Sequence, residues 1–448
     1  MTEPIAAWNA LLQSGEERAP AHSLEFARAM LARKLTFGDR IHCPFLRPFF
    51  LSAADESRIR RAAETLAAIG ERVVREAVPS RDLLDQLGVT EEEERLVRLD
   101  PGYATASTAS RVDAFLLPEG LHFAEYNAES PAGTGYTQRL AELFDELPVM
   151  ARFRESHRVS FHQTIEPLLG ALIDSYREWG GRAQPPTMAI VDWREVPTWT
   201  EFEILRDAFV AAGIPTVISD PRDLDFDGTS LWVEGQRIDL VYRRVLINDI
   251  LDRPGDCEAL VSAYEARSVC VANTFRCKLP HKKAFFAVLT DPANARMFTP
   301  IEHAIIAAHV PWTRVVADAS TEKDSVEGSL LELTRRERDT MVLKPNDEYG
   351  GKGVTLGWEM DAGAWDAALE AALADPKGSW IVQERIPVRR EVFPQFDQAG
   401  HVTDRDVLVD LAPFLFRGRM QGYLTRLSAT GLANVTSGGG QVPAFVID

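Results

Sequence analysis

The amino-acid sequence predicts a mixed α/β protein built from more than one domain. Residues 1–100 show mainly helical spacing of apolar residues, residues 188–220 alternate between strand and helix, and residues 391–448 are rich in strand-forming residues. Alternation of strands and helices is typical of a parallel sheet covered by helices. A length of 448 residues is sufficient for two or three domains of ordinary size.

Composition and charge exclude several classes of protein. With 45% hydrophobic and 26% charged residues, the chain resembles globular proteins rather than disordered or fibrous ones. The net charge of −18 disfavours broad nucleic-acid binding, which needs a basic surface. No apolar run approaches the ~18 residues of a membrane span, and the first residues lack the pattern of a secretory signal. We therefore expect a cytoplasmic protein with neither nucleic acid nor membrane as a partner.

The cysteines predict neither a disulfide framework nor a cysteine-rich zinc site. None belongs to a C-x-x-C pair, so we expect buried free thiols. They are Cys43, Cys257, Cys270 and Cys277.

Four regions follow from the order of patterns along the chain. Helical spacing over Glu56–Val78 supports a helical N-terminal region at residues 1–100. A Gly- and Pro-rich cluster at residues 177–186 separates residues 101–180 from a small α/β domain at residues 185–280. Residues 281–448 form the last region.

The small α/β domain is predicted element by element. MAIVDW is an apolar strand, TEFEILRDAFVAAG is an amphipathic helix that ends at Gly213, and IPTVISD is a second strand. LWVEGQRIDLVYRRV then predicts a hairpin followed by a further strand. Without a G-x-G-x-x-G motif, this domain shows no dinucleotide site.

The last region alternates before it becomes strand-rich. After a helix at KKAFFAVL we predict the strand PWTRVVA, a helix around Val326–Arg335 and the strand TMVLKP. A helix around Trp365–Leu373 and the strand SWIVQERI follow. Residues 391–448 are predicted as strands, with a glycine run at residues 438–440.

A β-hairpin is predicted around the turn residues Pro118, Glu119 and Gly120. If the turn centres on Glu119, residues at equal distance from it face each other. Because side chains two residues apart share a face, one face carries four polar residues: Arg111, Asp113, Glu125 and Asn127. The opposite face carries Val112, Ala114, Ala124 and Tyr126.

The polar face of this hairpin predicts a cation site. Asp113 and Glu125 oppose each other, and like charges across a strand pair repel. Arg111 compensates in part, and Mg²⁺, which prefers carboxylate and amide oxygens, would compensate more. Glu125 and Asn127 offer such oxygens about 6.6 Å apart along the strand. The alternative is a solvated hairpin face with one ion pair.

A second constellation lies in VLKPNDEYGGKGV, where a strand ends at Lys344. Its glycines let backbone amides approach a polyphosphate closely. Lys344 is a candidate phosphate ligand, and Glu348 is a candidate ligand of a bridging metal ion. The segment is not a P-loop, because G-x-x-x-x-G-K-[ST] is absent, and a plain surface turn is the alternative.

Two later segments add candidates. The end of SWIVQERI is placed to present main-chain groups to an adenine, and Glu391 to accept from ribose hydroxyls; an ordinary strand with charged ends is the alternative. Arg426 lies in a later strand, and Asn434 precedes a glycine-rich loop at residues 437–440. We expect this loop to close over a reacting centre, since the apolar VPAFVI after it disfavours the alternative of a flexible tail.

Together these motifs resemble the ATP-grasp superfamily of carboxylate–amine ligases. Their order is similar to the circularly permuted branch, which includes eukaryotic-type glutathione synthetases and glutathionylspermidine synthetase-like proteins. The motifs are Arg111-Val112-Asp113, Glu125-Tyr126-Asn127 and Lys344-Pro345-Asn346-Asp347-Glu348-Tyr349-Gly350-Gly351. The resemblance, which covers residues 100–135 and 280–448, implies a circularly permuted ATP-grasp fold. Residues 185–280 would be an inserted Rossmann-like domain.

The resemblance also implies roles for matching residues, with ATP and two Mg²⁺ ions as cofactors. The implied Mg²⁺ ligands are Glu125, Asn127 and Glu348. The implied nucleotide contacts are Lys283 (with Lys282 as its competitor), Lys344, Gly350, Gly351, Lys352, Gly353, Gln383, Glu384, Ile386 and Glu391. The implied contacts to the acid, the acyl phosphate or the amine are Arg111, Asp113, Ser130, Arg426, Asn434, Gly438 and Gly439. In the α/β domain, Arg243 or Arg244 either binds an acidic substrate or makes a structural ion pair.

The activity implied by the resemblance is ATP- and Mg²⁺-dependent formation of an amide or peptide bond through an acyl phosphate. The substrates would be a small-molecule or peptide carboxylate and an amine, and a homodimer is compatible with this activity. Two alternatives on the same fold are a non-catalytic ATP-binding or regulatory protein and a small-molecule kinase. The sequence identifies neither the acid nor the amine.

Overall fold

The computed structural model describes residues 1–348, 350–375, 379–429 and 439–448. In these residues helices pack against several sheets, so the predicted mixed α/β class is confirmed. All four cysteines are buried and free, as predicted. None of the helices in the described ranges combines the length and apolar character that crossing a membrane requires.

Helices dominate residues 1–100, in agreement with the prediction. The helices are α1 (Thr2–Ser14), α2 (Pro20–Ala32), α3 (Ala53–Ala77), α4 (Arg81–Leu87) and α5 (Glu91–Arg98), and the short strands are β1 (Thr36–Phe37), β2 (Arg40–Ile41) and β3 (Phe49–Ser52). The longest of them, α3, begins after Ser52, whose hydroxyl accepts a hydrogen bond from the backbone N–H of Asp55. Its apolar side chains enter the largest hydrophobic core.

The next region contains the predicted hairpin and a group of helices. Its elements are β4 (Ala109–Leu116), β5 (Leu121–Asn127), α6 (Thr134–Asp145), α7 (Pro148–Phe153), β6 (Val159–Ser160) and α8 (Ile165–Glu178). Arg111 pairs with Asn127 and Asp113 pairs with Glu125, so the predicted register is confirmed at these positions.

The turn of the hairpin is tighter than predicted. Backbone hydrogen bonds join Leu117 and Gly120 in both directions, which shifts the pairs nearest the turn by one residue. A β-bulge restores the predicted register, because Asp113 pairs with Glu125 whereas Ala114 pairs with Phe123.

The bulge changes the environment of Ala124. Of the four residues expected opposite the polar face, Val112, Ala114 and Tyr126 are buried, whereas Ala124 lines a cavity. Ala124 is the extra residue of the bulge and has no partner across the strands. Its side chain is therefore no longer constrained to the apolar face.

Residues 188–272 form the predicted small α/β unit. Its elements are β7 (Met188–Val191), α9 (Trp199–Ala211), β8 (Thr216–Ser219), β9 (Leu224–Phe226), β10 (Leu231–Val233), β11 (Gln236–Ile238), β12 (Leu240–Arg243), α10 (Ile247–Asp252), α11 (Glu258–Glu265) and β13 (Cys270–Ala272). The strand order β13-β12-β7-β8 is parallel throughout, as predicted. Gly213 follows α9 with φ +85°, a left-handed conformation that glycine adopts readily at a helix end.

The last region supplies two further sheets. Its elements are α12 (Lys278–His281), α13 (Ala284–Thr290), α14 (Pro300–His309), β14 (Thr313–Val315), β15 (Ser320–Lys323), β16 (Val326–Ser329), α15 (Leu330–Arg336), β17 (Met341–Pro345), β18 (Thr355–Leu356), α16 (Ala362–Ala374), β19 (Trp380–Glu384), β20 (Arg389–Phe396), β21 (Val402–Phe416), β22 (Arg419–Ser428), β23 (Gly440–Val442) and β24 (Ala444–Ile447). The prediction of a helix from Val326 is wrong for its first residues. They pair with β15 in a hairpin, and α15 begins only after Ser329, whose hydroxyl caps it.

Two sheets bring distant parts of the chain together. One has the order β23-β22-β21-β4-β5, with β20 also paired to β21, so the early hairpin lies beside late strands. The other has the order β14-β19-β17-β18. The site described below lies between these two sheets.

Candidate active site

A cavity of about 260 Å³ lies between the hairpin β4–β5 and the sheet that contains β17 and β19. Its charged wall comes from the hairpin, β17, β21, β22 and the start of α13. This wall includes Asp113, Glu125, Lys283, Lys344, Asp410 and Arg426. Its apolar wall includes Phe115, Val342, Leu356, Trp358, Ile386 and Val388. A charged wall beside an apolar wall suits a ligand that has an anionic part and a flat apolar part.

Most of the predicted site residues meet at this cavity. Those on its wall are Asp113, Glu125, Lys283, Lys344, Glu348, Gly350, Gly351, Lys352, Gln383, Glu384, Ile386 and Arg426. The ammonium group of Lys344 lies 3.5 Å from the main-chain oxygen of Ala124, a residue 220 positions earlier in the chain. The convergence of the hairpin with the Lys344 segment, on which the predicted site depends, is therefore present.

Lys283 connects the two segments that carry the candidate metal ligands. Its Nζ lies 3.5 Å from Oε2 of Glu125 and donates to the main-chain oxygen of Glu348 at 2.5 Å. Lys282 points elsewhere, to the buried carboxylate of Glu93 and the partly buried carboxylate of Asp347. Of the two lysines left open by the sequence, Lys283 is the one that reaches the cavity.

The charges of Lys344 and Glu125 are coupled. The pKa of Lys344 is lowered to about 8, mainly by burial and in part by the nearby Lys283, against the opposing effect of Glu125. Burial raises the pKa of Glu125, but Lys283 and Lys344 outweigh it, and the pKa falls below its ordinary value. Lys344 donates to Oε1 of Gln383 at 2.6 Å, which orients its ammonium group along the wall.

Two arginines and two aspartates form a group of ion pairs, of which Asp113, Asp410 and Arg426 line the cavity and Arg111 lies behind Asp113. Arg111 donates to Asp113 at 2.7 Å, and Arg426 donates to Asp113 at 2.5 Å and also contacts Asp410. Burial raises the pKa of Asp113, yet the two arginines hold it well below its usual range. Burial raises the pKa of Asp410 to about 7 against the effect of Arg426. The two aspartates therefore hold Arg426 at the wall, and the net charge of the group depends on whether Asp410 is protonated.

The candidate metal ligands fit Mg²⁺ by their chemistry. Among the described residues, no three His, Cys, Asp or Glu side chains are grouped closely enough to hold a metal ion by themselves. Asn127 donates to Oε1 of Glu125 at 3.1 Å, so an amide and a carboxylate lie side by side. The Glu348 carboxylate, 39% exposed, pairs with Lys352. Mg²⁺ is usually bound by one or two such carboxylates together with substrate phosphates and water, which matches this incomplete set.

Some predicted residues lie away from the cavity wall. Ser130 donates to the main-chain oxygen of Arg244. Arg243 is fully buried, with the Val245 carbonyl and Glu129 as partners, so its alternative role in a structural ion pair is the one seen. Gly353 and Gly439 are not on the wall either. Asn434 and Gly438 lie outside the described residues.

Glu391, expected near a ribose, is held between two arginines instead. Arg47 donates to its Oε1 at 2.6 Å and Arg389 to its Oε2 at 2.5 Å. Arg47 is fully buried. This arrangement ties β20 to the segment before β3 rather than presenting a carboxylate to the cavity.

Sequence reasoning missed nine of the described wall residues, and three of them, Asp410, Trp358 and Arg385, bear on the chemistry of the site. Asp410 is the single acid inside the apolar strand segment VLVDLAPFLF, and a lone carboxylate in a buried strand was the signal that would have identified it. Trp358 and Arg385 form a pair, with the guanidinium 4.1 Å from the ring centroid. No motif connects these two residues, because they meet only through the fold.

A solved structure with a similar fold is known. No established family profile matches the chain. The apo structure of a glutathione synthetase-like effector from Globodera pallida matches it with a TM-score of 0.59 at 12% sequence identity, covering 95% of this chain and 96% of that one. The protein has a glutathione synthetase-like fold. The resemblance predicted from the motifs is confirmed at this level.

The curated relatives of this chain carry ligase names. A putative glutamate–cysteine ligase 2-2 of Frankia casuarinae is 26% identical over 264 residues, which is 55% of this chain. A putative glutamate–cysteine ligase 2-3 of Frankia alni is 28% identical over 248 residues, which is 52% of this chain. The chain spans only 28% and 26% of the lengths of these two relatives.

Proposed function

We propose that the protein is an ATP- and Mg²⁺-dependent ligase that joins a carboxylate to an amine. The observation that carries this proposal is the meeting of Lys283, Lys344 and Arg426 with Glu125 and Glu348 around one cavity. Three cations suit a polyphosphate and an acid, and two carboxylates suit its metal ions. The glutathione synthetase-like fold and the ligase names of the curated relatives agree with it. In this proposal the chain has the circularly permuted ATP-grasp arrangement, with residues 185–280 as the inserted domain.

The proposed reaction activates the acid before the amine attacks. A carboxylate is a poor electrophile at neutral pH, and transfer of the terminal phosphoryl group of ATP converts it to an acyl phosphate. The amine then adds to the carbonyl carbon, phosphate leaves, and the products are an amide, ADP and phosphate. Mg²⁺, when bound, would neutralise phosphate charge. Because both reacting groups are anions, the main requirements are neutralisation of charge and in-line positioning.

The residues on the wall and next to it have separate functions in this scheme. Lys344 and Lys283 bind phosphate oxygens, and Glu125, Asn127 and Glu348 hold the metal ions. The Arg111 and Arg426 side chains, oriented by the shared Asp113, stabilise the acid and its acyl phosphate. The adenine would lie against the apolar wall, which includes Val342, Leu356 and Ile386, and main-chain groups at Glu384–Ile386 would form hydrogen bonds with its edge.

The names of the curated relatives support a substrate class. They state glutamate and cysteine, two amino acids, as the compounds that are joined. We propose substrates of this class for this chain as well.

Trapping with hydroxylamine tests the proposed function. The protein is incubated with MgATP, a panel of amino acids and γ-glutamyl peptides, and hydroxylamine, and ADP and hydroxamate are measured. We expect ADP release that depends on the acid and hydroxamate in equal amount, because hydroxylamine captures an acyl phosphate. ADP with a stable phosphorylated product and no hydroxamate would indicate a kinase. MgATP binding with no ADP release for any acid would indicate a regulatory protein.

The lowered pKa of Lys344 predicts how nucleotide binding depends on pH. In the unliganded protein Lys344 titrates at about 8, and a bound polyphosphate favours its charged form. Binding above pH 8 must therefore take up a proton, and affinity for MgADP should fall about tenfold between pH 7 and pH 9.

Calorimetry at pH 8.5 in buffers of different ionisation enthalpy measures this proton uptake. The Lys344→Met variant is the control and should show weak binding without proton uptake. The same uptake in the variant would assign the titration to another group.

A further inference from the structure

A buried cluster of charges lies directly behind the candidate metal ligand Glu348. Lys278 and Lys282, on α12 and at its end, are 1% and 3% exposed and both point to Asp347. Lys278 donates to Oδ1 of Asp347 at 2.8 Å, and Lys282 donates to Oδ2 at 3.0 Å. Each oxygen of this carboxylate is therefore held by its own buried lysine.

The residues on either side of Asp347 are anchored to the same helical segment. The backbone N–H of Lys283 donates to the main-chain oxygen of Asn346 at 3.0 Å, and the Asn346 side chain accepts from the backbone N–H of Ala284. The Lys283 side chain then reaches the main-chain oxygen of Glu348. Residues 346–348 are thus fixed one after another to residues 278–284.

Asn248 of α10 adds a contact from the small α/β unit. Its Nδ2 donates to the main-chain oxygen of Asp347 at 3.3 Å, and its Oδ1 accepts from Lys278 at 2.8 Å. The Asp347 backbone and side chain are therefore both held.

Removing one carboxylate from such a cluster destabilises the fold, because buried lysines would keep their charges without compensation. Burial raises the pKa of Asp347, but Lys278 and Lys282 reverse the effect and hold it far below its ordinary value. Both lysine ammonium groups lie within hydrogen-bond distance of this carboxylate, so it compensates part of their buried charge.

We propose that Asp347 is a positioning residue that holds Glu348 in place relative to Lys283, whose own backbone belongs to the helical segment. This inference rests on the proposed function, in which Glu348 binds metal and Lys283 binds phosphate. Asp347 lies outside the cavity with its carboxylate turned towards Lys278 and Lys282. It acts through the backbone it shares with Glu348, in the way that outer partners orient metal ligands elsewhere.

Nucleotide binding with and without Mg²⁺ tests this role, using the full-length protein and ADP as the probe. In Asp347→Asn we expect the Kd of MgADP to rise about 10- to 100-fold, the usual effect of removing an outer partner of a metal ligand. The Kd of ADP measured in EDTA should stay at the wild-type value, because Glu348 contributes only through metal.

Glu93→Gln is the matched control. Glu93 is a buried carboxylate on α5 that accepts from Lys282 at 2.8 Å and lies 3.7 Å from Lys278. Its loss removes the same charge from the same lysines but leaves the backbone next to Glu348 unchanged. We expect its MgADP affinity to equal that of the wild type, although its melting temperature falls.

A double variant keeps the test decisive if Asp347→Asn folds poorly. Asp347→Asn/Lys282→Gln removes one charge of each sign and should fold, yet it still releases Asp347 and should show the same Mg²⁺-dependent loss. Wild-type MgADP affinity in both Asp347 variants, or an equal loss in Glu93→Gln, would overturn the positioning role while leaving the proposed function intact. A wild-type protein that does not bind MgADP would overturn both.

Discussion

Lys344→Ala is expected to lower the rate of ATP-dependent turnover about 10²- to 10³-fold, the usual effect of losing one charge contact to a transition state. Lys344 lies at the end of β17 and lines the cavity beside Glu125. Its ammonium group would neutralise the phosphate that moves towards an already anionic acid. ADP release and hydroxamate formation measure turnover, and calorimetry measures the affinity for MgADP.

The same substitution should change the melting temperature only slightly. Burial disfavours the charged form of Lys344 and lowers its pKa to about 8. Removing the ammonium group therefore relieves the free-energy penalty of burying a charge, while it breaks the hydrogen bond to Gln383. Lys34→Ala is the control, because Lys34 is a surface lysine paired with Glu203. Full turnover in Lys344→Ala would contradict the site assignment.

Glu391→Gln is expected to destabilise the fold by about 3–5 kcal/mol, the usual loss when one partner of a buried ion pair is removed. Arg47 has no exposed surface, and Glu391 is its counter-charge at 2.6 Å. The Arg47 guanidinium also stacks on the Phe393 ring at 3.7 Å and therefore stays in place without Glu391. The free energy of unfolding in denaturant measures this loss.

Two further variants separate an anchoring role from a nucleotide role. Arg47→Met/Glu391→Gln should recover much of the lost stability, because the buried charge is then absent. Arg389→Gln removes the arginine on the other side of the same carboxylate. It should lower the free energy of unfolding by about 1 kcal/mol or less, since Arg389 is 22% exposed. If Glu391 only ties β20 to the segment before β3, Glu391→Gln should leave the affinity for MgADP unchanged. Normal stability with weakened MgADP binding would instead show that Glu391 contacts the ribose.

The periodicity of apolar residues predicted which helices and strands are present better than it predicted where they begin and end. The strand TMVLKP, the helix near Trp365 and the parallel unit from Met188 follow from periodicity, because each buries one face or is wholly buried. The helix expected from Val326 was wrong in its first turn. Gly328 disfavours a helix and Ser329 is a favoured N-cap residue, so the sequence itself carried a signal for the later start, and the pairing with β15 makes these residues a strand.

The hairpin shows how a correct prediction can rest on an incomplete reason. The pairing of Asp113 with Glu125 was predicted from a turn centred on Glu119. The actual turn is tighter, and the bulge at Ala124 compensates for the difference. A bulge leaves little trace in a single sequence, because it changes the path of the backbone rather than the type of residue.

The sequence by itself determined which chemical groups are available: the lysines, the carboxylates and the glycine-rich segment occur in an order that already resembled one class of ligase. Only the tertiary structure decided which of them meet. Lys283 rather than Lys282 reaches the cavity, Asp410 lies beside Arg426, and Glu391 turns to Arg47. The physical reason is that contacts across hundreds of residues depend on how two sheets pack. Local spacing specifies the face of a strand or helix but not the partner it will meet.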